Sequence, residues 1–502
     1  MNIRVRYAPS PTGLQHIGGI RTALFNWHFA RSAGGKFILR LEDTDRTRYD
    51  PAFEQNLYDT FRWLGIHWDE GPDTGGLFAP YVQSKRTELY RHHAQELLEK
   101  GHGYRCFCSA ERLEKIRAER ETARSSATGY DRHCRTINAE ESSRRAAAGE
   151  NFTIRLRIPL EAVTCFNDRL LGDIEWKNND INPDPVLLKS DGFPTYHLAN
   201  IVDDHLMEIT HVLRAQEWLS STPLHVILYK AFDWDPPEFC HLPMVMGQDG
   251  KKLSKRHGAA SIDEFRLQGI LSEALINYTA LLGCSYEEGK ELYSPEELGK
   301  RFSLDKLNKA PAVFDYKKLE WYNGQYIRMK TNDELAALTI PWALQQGLFT
   351  ENAAVEQRCL YTEAIGLVRE RVVFLPEIPE KLRFVFSEPA LPAAEEFMPK
   401  KSGLVSTLSL LTMGKTLLGE YFPGGKALSD EEAENLAKEL AEKEEIKVGD
   451  LLMPLRVAIT GQRVSPPLFA SIRLLGEKQC LARVERALRF LSGQELVGHS
   501  PS

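Results

Sequence analysis

The stretch APSPTGLQHIGG, residues 8–19, decides the fold that this sequence predicts. In residues 3–7, apolar side chains alternate with arginines, which is the pattern of a short strand. The prolines and glycines of the quoted stretch end that strand and form a turn. Apolar side chains then recur at helical spacing over residues 20–27, and residues 36–42, KFILRLE, form a second strand. Together these elements predict a βαβ unit with a parallel sheet and a right-handed crossover.

This turn is predicted to lie where a strand ends and a helix begins. Backbone N–H groups and the helix dipole favour phosphate binding at such a position, and glycines let the backbone approach a ligand closely. His16 adds a side-chain donor that can reach developing negative charge. The stretch lacks the lysine of a P-loop and the spacing of GxGxxG. A plain turn with an incidental histidine is therefore the alternative at this point.

A second glycine-flanked segment, GQDGKKLSKRHG at residues 247–258, carries a hydroxyl and several cations. Such a loop suits a triphosphate whose charge shifts during a reaction. The candidate contacts are Lys252, Ser254 and Lys255, and the alternative is a solvated basic loop. The presence of both segments in one chain disfavours that alternative and predicts a nucleoside triphosphate site.

The 502 residues are 42% apolar and 26% charged, with a formal net charge of −7. This composition is that of a globular chain of three or four domains, at about 100–200 residues per domain. The acidic total argues against non-specific coating of polyanions, although a local basic surface can still contact phosphate. Eight cysteines are too few for a disulfide scaffold. Neither a secretory signal nor an apolar run near the ~18 residues of a membrane span is visible, so we expect a cytoplasmic protein with no membrane partner.

The two glycine-flanked segments resemble the two signatures of class I aminoacyl-tRNA synthetases, HIGG standing for the first and KLSKR for the second. More narrowly, the chain resembles bacterial glutamyl-tRNA synthetases. The stretches that carry this resemblance are APSPTG, LRLEDTDR at 39–46, WLGIHWDEGPD at 63–73, YHLANIVDDHLM at 196–207, VLRAQEW at 212–218 and SPPLFASIRLLG at 465–476. The resemblance covers essentially the whole chain. Gly19 replaces the last histidine of the general signature, and the glutamyl branch commonly has glycine or threonine there.

That resemblance implies an α/β fold: a Rossmann-type class I synthetase catalytic domain with an acceptor-binding insertion, followed by an all-α C-terminal anticodon-binding half. The implied division is a first catalytic half at residues 1–105, an insertion that binds the tRNA acceptor end at 106–200, a second catalytic half with the KLSKR loop at 201–258, a helical connector at 259–330 and an all-helical anticodon-binding region at 331–502.

The resemblance also implies the activity of a glutamate–tRNA ligase. L-Glutamate reacts with ATP to give glutamyl-adenylate and pyrophosphate, and the glutamyl group then passes to the 3′-terminal adenosine of tRNA(Glu) with release of AMP. No covalent enzyme intermediate is needed, so positioning and charge stabilisation carry the catalysis. The family implies that tRNA must be bound for the first step and that Mg²⁺ accompanies ATP. We expect a monomer.

Free glutamate needs a positive partner for its side-chain carboxylate and a negative partner for its ammonium group, and arginine is the expected carboxylate partner. From the residues alone, Arg6, Glu42 and Arg214 are ambiguous. The resemblance assigns glutamate binding to Arg6, Ala8, Ser10, Glu42, Tyr196, Asn200 and Arg214. It assigns ATP binding and catalysis to His16, Gly18, Gly19, Lys252, Ser254 and Lys255.

The implied insertion holds three clustered cysteines, Cys106, Cys108 and Cys134. Thiolates are good zinc ligands and a structural zinc takes four ligands, so the cysteines leave one position open. Some glutamyl enzymes bind zinc through a Cys-x-Cys…Tyr-x3-Cys arrangement, which implies Tyr130 here, whereas His133 is chemically the easier ligand. Three reduced thiols without a metal are the alternative.

From Thr331 onwards the sequence predicts only helices. Ser429 and Glu432 form a predicted capping box, and apolar side chains at helical spacing over residues 433–440 predict a buried stripe. The arginines that recur every three residues, a candidate basic face, are Arg483, Arg486 and Arg489. The resemblance assigns this half to anticodon recognition, in which splayed bases are read.

Four rival interpretations fit this sequence less well. A glutaminyl-tRNA synthetase usually has a full HIGH, an aspartate in place of Glu42 and β-barrels in its C-terminal half. A glutamyl-queuosine relative lacks the anticodon region, and a ligase of a small acid has no need of about 170 helical residues after Thr331. A catalytically inactive tRNA-binding paralogue predicts the loss of His16 or Lys255, and both are present. Two alternatives stay open, that paralogue and an enzyme that also charges tRNA(Gln).

Overall fold

A computed structural model describes residues 2–122, 129–254, 258 and 261–498, with side chains except at 121–122, 353–356 and 495–498. The chain divides into two units. The first consists of Met1–Leu267 and Ser272–Tyr322, and the second of Gln268–Leu271 and Asn323–Ser502.

All strands among the described residues lie in the first unit. They are β1 (Arg4–Tyr7), β2 (Lys36–Leu39), β3 (Gly103–Cys106), β4 (Thr153–Leu156), β5 (Val163–Asp168), β6 (Gly172–Lys177), β7 (Val186–Leu188), β8 (His211–Ala215), β9 (Glu238–Leu242), β10 (Val245–Met246) and β11 (Ala312–Val313). The helices of this unit are α1 (Ile17–Ser32), α2 (Pro51–Leu64), α3 (Thr87–Glu99), α4 (Ala110–Thr122), α5 (Ala139–Ala147), α6 (Tyr196–Leu206), α7 (Thr222–Phe232), α8 (Ile262–Leu267), α9 (Ser272–Leu281) and α10 (Pro295–Arg301). Helix α11 (Tyr316–Met329) begins in it.

The predicted βαβ unit is confirmed. Strands β1 and β2 pair in parallel with Val5 opposite Phe37, both fully buried, and α1 connects them. On the other side of β1, the Thr210 N–H just before β8 donates to the Arg4 carbonyl at 2.9 Å. Strand β8 then pairs in parallel with β9 across the buried crossover helix α7. The carboxyl ends of these parallel strands therefore meet at one edge, which is where such sheets bind nucleotides.

The chain between the two parallel pairs adds antiparallel structure. Strands β3, β4 and β7 form a three-stranded antiparallel sheet. Strands β5 and β6 form a hairpin, which joins β9 in parallel where Asp168 lies opposite Phe239. One continuous core of buried apolar side chains underlies this region and the parallel strands.

The second unit is helical in its described residues, as expected. Its helices after α11 are α12 (Asn332–Gln345), α13 (Glu351–Ile365), α14 (Glu377–Phe386), α15 (Leu404–Tyr421), α16 (Asp430–Lys443), α17 (Val448–Thr460), α18 (Leu468–Leu475) and α19 (Glu477–Gly498). The predicted capping box is present, since the Ser429 hydroxyl accepts from Glu432 N–H at 3.3 Å and the Glu432 carboxylate accepts from Ser429 N–H at 2.8 Å. Within the described ranges, no helix is both long and apolar enough to cross a membrane.

The prediction that three arginines share an exposed basic face on α19 is wrong for Arg483, which is buried. This guanidinium is 2% exposed and donates to the carbonyls of Ile459 at 2.6 Å and Phe384 at 2.7 Å. It satisfies backbone acceptors that would otherwise be buried without partners. Arg486 pairs with Glu388 at 2.9 Å, and Arg489 is exposed.

Candidate active site

A cleft of about 840 Å³ lies at the carboxyl ends of the parallel strands. It brings together expected residues from distant parts of the chain, namely Arg6, Ala8, Ser10, His16, Gly18, Gly19, Glu42, Tyr196, Asn200, Arg214 and Lys252. Ser254 is described but does not line the cleft, and Lys255 lies outside the described residues.

His16 caps helix α1 and carries a side chain directed at the cleft. Its Nδ1 accepts from the Gly19 N–H at 3.3 Å, so the neutral ring holds its proton on Nε2. Burial and the nearby Lys252 lower the pKa of His16, and Glu217 opposes them. Nε2 is thus the ring nitrogen that can donate to a ligand. A Cβ at Gly19 would lie 2.8 Å from the Tyr7 hydroxyl, so a larger residue at this position would require the Tyr7 side chain to shift.

The basic segment begins as a tight hairpin after β10. Gly247 N–H donates to the Lys251 carbonyl at 2.7 Å, and Leu253 N–H donates to the Val245 carbonyl at 3.1 Å. The hairpin places Lys252 at the cleft, where its ammonium group pairs with Glu217 at 2.6 Å. Both side chains are exposed, and exposed ion pairs contribute little, so Lys252 can exchange this partner for a phosphate.

The opposite end of the cleft rests on a buried ion network. The fully buried guanidinium of Arg40 pairs with Asp204 at 2.7 Å and with Glu42 at 3.0 Å, and it donates to Asn200 Oδ1 at 3.0 Å. Burial opposes the charge of Arg40, but the carboxylates of Asp204, Glu42 and Asp203, the last 3.7 Å away, raise its pKa well above the usual value. This network fixes the side chains that face the cleft.

Arg6 and Glu42 each keep one polar group for a ligand. Arg6 uses Nε and Nη2 on Asp204, with Nε 3.0 Å from the nearer oxygen, whereas its Nη1 has no hydrogen bond within the described residues. Glu42 accepts from Arg40 through Oε1 only, again among the described residues. Burial raises the pKa of Glu42 to about 7, against the opposing effect of Arg40. A cationic ligand group beside Glu42 would hold this carboxylate ionised.

Arg214, near the end of β8, is buried. Among the described residues no carboxylate lies within 4 Å of its guanidinium. Three hydrogen bonds come from behind the cleft, to His241 at 3.0 Å, His225 at 3.1 Å and Thr222 at 2.8 Å. The two longest go to cleft-lining groups, the Tyr196 hydroxyl at 3.3 Å from Nη1 and the Trp218 carbonyl at 3.5 Å from Nη2. All five N–H groups of this guanidinium therefore have acceptors, and the two longest bonds, one on Nη1 and one on Nη2, are those that a ligand carboxylate at the cleft can replace.

The two histidines behind Arg214 were missed by sequence reasoning. Arginine has no acceptor, so His241 Nε2 and His225 Nδ1 must both be unprotonated acceptors. His241 then donates through Nδ1 to Asp168 at 2.6 Å, and His225 through Nε2 to His197 at 3.1 Å. Burial is the main cause that lowers the pKa of both His225 and His241. Arg214 is thereby held among neutral groups, and no local sequence pattern marks them.

The three clustered cysteines converge in the structure. Their sulfur atoms lie within 4.8 Å of one another. The Tyr130 hydroxyl is 3.3 Å from Cys106 Sγ and 3.6 Å from Cys108 Sγ, and the sulfurs of Cys108 and Cys134 are 3.6 Å apart. No ring nitrogen of His133 joins this group of described residues. The donor set that converges is thus three thiols and one phenol.

Comparison with known proteins agrees with this geometry. The family described as tRNA synthetases class I (E and Q), catalytic domain, matches residues 2–321, and the family described as anticodon binding domain matches residues 334–488. A glutamate–tRNA ligase of Treponema denticola is 56% identical over 97% of this chain and 99% of its own, and one of Borrelia duttonii is 51% identical over 99% and 97%. A crystal structure of a glutamate tRNA ligase from Elizabethkingia meningosepticum in complex with its amino acid is 34% identical, covering 98% of this chain and 100% of that one with a TM-score of 0.87.

The chain belongs to the class I tRNA synthetases for glutamate and glutamine, which combine a Rossmann-type catalytic domain with an anticodon-binding domain. Within that class it is a member of the glutamate–tRNA ligase family, whose enzymes use ATP. The expected fold class, an α/β catalytic part followed by an all-helical half, is confirmed.

Proposed function

We propose that this protein activates L-glutamate with ATP and transfers it to the 3′-terminal adenosine of tRNA(Glu). The observation that carries this proposal is Arg214, whose buried guanidinium makes its two longest hydrogen bonds to cleft-lining groups and has no carboxylate partner among the described residues. A buried charge without a counter-ion is costly. The side-chain carboxylate of glutamate supplies that counter-ion.

The rest of the amino acid fits the remaining groups of this end. The α-ammonium group faces Glu42, whose Oε2 is available to accept from it. Arg6 Nη1 binds the α-carboxylate region from the first strand. The Tyr196 hydroxyl and Asn200 hold Arg214 and Arg6 in place. Ala8 and Ser10, in the turn after β1, complete the wall of the amino-acid site.

ATP occupies the other end, at the start of α1. Gly18 and Gly19 let the phosphates approach the helix N-terminus, and His16 donates to the α-phosphate. Lys252 and Lys255 follow the β- and γ-phosphates, and Ser254 assists them. Mg²⁺ enters with ATP, since this ion is usually bound through substrate phosphates, waters and one or two carboxylates rather than by a cage of protein ligands.

Two displacements complete the reaction. An oxygen of the α-carboxylate attacks the α-phosphorus, the bond from that phosphorus to the bridging oxygen breaks, and pyrophosphate leaves with the electron pair. A ribose hydroxyl of the terminal adenosine then attacks the carbonyl carbon of glutamyl-adenylate, the bond from that carbon to the phosphate oxygen breaks, and AMP leaves with the electron pair and the hydroxyl proton. His16 and the basic loop stabilise the charge that moves to the phosphate oxygens. As in the family, bound tRNA is required for the first displacement.

We further propose a structural zinc ion in the segment between β3 and β4. Cys106, Cys108 and Cys134 hold it, and Tyr130 rather than His133 takes the fourth position, because the phenol oxygen lies among the three sulfurs. Three thiolates and one oxygen suit a closed tetrahedral site. The ion would fix the turns of this segment and takes no part in the two displacements.

Charging assays test the proposed function. Labelled glutamate is offered with ATP, Mg²⁺ and either tRNA(Glu) or tRNA(Gln), to the wild type and to a Lys255→Ala variant. We expect the wild type to charge tRNA(Glu) and the Lys255→Ala variant to lose this activity. We also propose that the enzyme is a monomer and acts in the cytoplasm. Charging of tRNA(Gln) as well would identify a non-discriminating enzyme. Binding of both RNAs without charging would instead identify an inactive paralogue and refute the proposal.

A further inference from the structure

The backbone just before His16 is bonded to the chain that follows the basic segment. Ile262 N–H donates to the Gln15 carbonyl at 3.0 Å, and His16 forms an antiparallel bridge with Ser261. The first signature and the segment after the second are therefore joined directly, although about 245 residues separate them in sequence.

Asn56, on α2, fixes both sides of this junction. Its Oδ1 accepts from Gln15 N–H at 3.1 Å, and its Nδ2 donates to Asp263 Oδ2 at 2.6 Å. Gln15 is held again at its side chain, where Oε1 accepts from the Tyr7 hydroxyl at 3.1 Å. Hydrogen bonds to a charged acceptor are among the strong ones, so the bond to Asp263 is the main tie between α2 and the start of α8.

We propose that Asn56 and Asp263 are positioning residues that set His16 relative to the reacting phosphate. Both backbone groups of Gln15 are used, its N–H by Asn56 and its carbonyl by Ile262. These bonds also restrict the position of the next residue, His16, at the start of α1. A displacement of about 1 Å at a reacting centre costs on the order of 10²-fold in rate. This inference rests on the proposed function, since it concerns how the ATP end works.

Helix α2 does not depend on Asn56 for its own stability. Asp50 caps the helix by accepting from Ala52 N–H at 2.8 Å, Gly65 ends it at φ 67°, and Phe61 stacks on Tyr7 at 5.6 Å. Asn56 and Asp263 are only partly buried. Substitutions at these two positions are therefore expected to leave the fold intact.

A reversal of the hydrogen-bond polarity tests the proposal. N56D places two carboxylates against each other at the 2.6 Å contact and breaks the tie. D263N alone keeps it, because an amide oxygen still accepts from Asn56. In the N56D/D263N double variant, the carboxylate at position 56 accepts from both Gln15 N–H and the amide at position 263. Q55D, at an exposed neighbour on α2, adds the same charge as a control.

The kinetic readout separates positioning from simple loss of structure. We expect N56D to lower kcat of glutamate activation at least about tenfold with an unchanged KM for glutamate, since Glu42 and Arg214 lie on other elements. D263N, Q55D and the double variant should stay within about threefold of the wild type. The proposal would be overturned if N56D kept the wild-type kcat or if the double variant did not recover it. It would also be overturned if N56D lost kcat, glutamate affinity and melting temperature together.

A second readout is independent of activity. Trypsin cleavage after the exposed Lys251 and Lys252 should accelerate in N56D and return to the wild-type rate in the double variant, because the tie anchors the far side of that segment. If the wild type charges no tRNA, the proposed function fails and the cleavage rates alone decide on the tie. Equal cleavage of the wild type and N56D then overturns it.

Discussion

Replacement of Arg214 by glutamine removes the two donors that face the cleft and the positive charge behind them. Hydrogen bonds to a charged group contribute about 1.5–3 kcal/mol each, so the two cleft-facing bonds to the ligand carboxylate together account for about 3–6 kcal/mol. At about 1.4 kcal/mol per factor of ten, kcat/KM for glutamate should fall about 10²- to 10⁴-fold. Activation of glutamine, which carries no side-chain charge, should fall far less.

The assay is ATP–pyrophosphate exchange with tRNA present, with glutamate and then with glutamine. Arg21→Gln is the matched control for amino-acid preference, because the similarly buried Arg21 lines the cleft from α1 and donates to the carbonyls of Leu282 at 2.6 Å and Pro243 at 2.5 Å. That control should lower the melting temperature and leave the glutamate-to-glutamine ratio unchanged. A loss below about fivefold for glutamate in Arg214→Gln, or an equal loss for both amino acids, would refute the assignment of Arg214.

Three further outcomes follow from single sites. Burial raises the pKa of Glu42 to about 7, so between the ordinary pKa of a glutamate and this value the folded protein keeps a proton that the unfolded chain has lost. The free energy of unfolding therefore decreases as the pH rises through this range. The KM for glutamate should decrease over the same pH range, because the Glu42 carboxylate forms. Glu42→Gln should flatten this KM profile between pH 6 and 8, and an unchanged slope would contradict the assignment. Cys134→Ser should reduce bound zinc, measured by elemental analysis, from about one ion per chain to none, whereas Cys165→Ser on an exposed strand position should retain it; equal contents would exclude the site. Arg483→Met leaves buried carbonyls without a donor at about 1–3 kcal/mol each, so it should lower the melting temperature more than Arg489→Ala, as calorimetry can test.

The sequence predicts what depends on local pattern. Alternation, turn residues and helical spacing identified β1, α1 and β2, and the capping box at Ser429 follows from four residues in a row. These features are set by neighbours in sequence, so one stretch contains all the information needed. The glutamate positions came from resemblance, because Arg6, Glu42 and Arg214 have no local signature.

The side-chain contacts that set the charge and orientation of Arg6, Glu42 and Arg214 could not be predicted from local sequence patterns. Arg40 meets Asp204 from 164 residues away, and Arg214 meets His241 across two adjacent strands. Pairings of this kind depend on strand order and on side-chain direction after packing. Arg483 is the opposite case, because a local pattern was present and was misleading. The spacing of three residues between arginines is typical of an exposed helix face, but the carbonyl partners that bury Arg483 lie in other helices.

The most direct test of the account is the amino-acid preference of the wild type in charging tRNA(Glu). Because the described residues give the buried Arg214 guanidinium no counter-ion, the site should prefer glutamate to glutamine by at least about 10³-fold in kcat/KM, since glutamine leaves that charge unpaired. This preference is the predicted result. The assignment of the cleft as a glutamate site would be contradicted if tRNA(Glu) were charged comparably with glutamate and glutamine, or if it were not charged with glutamate at all.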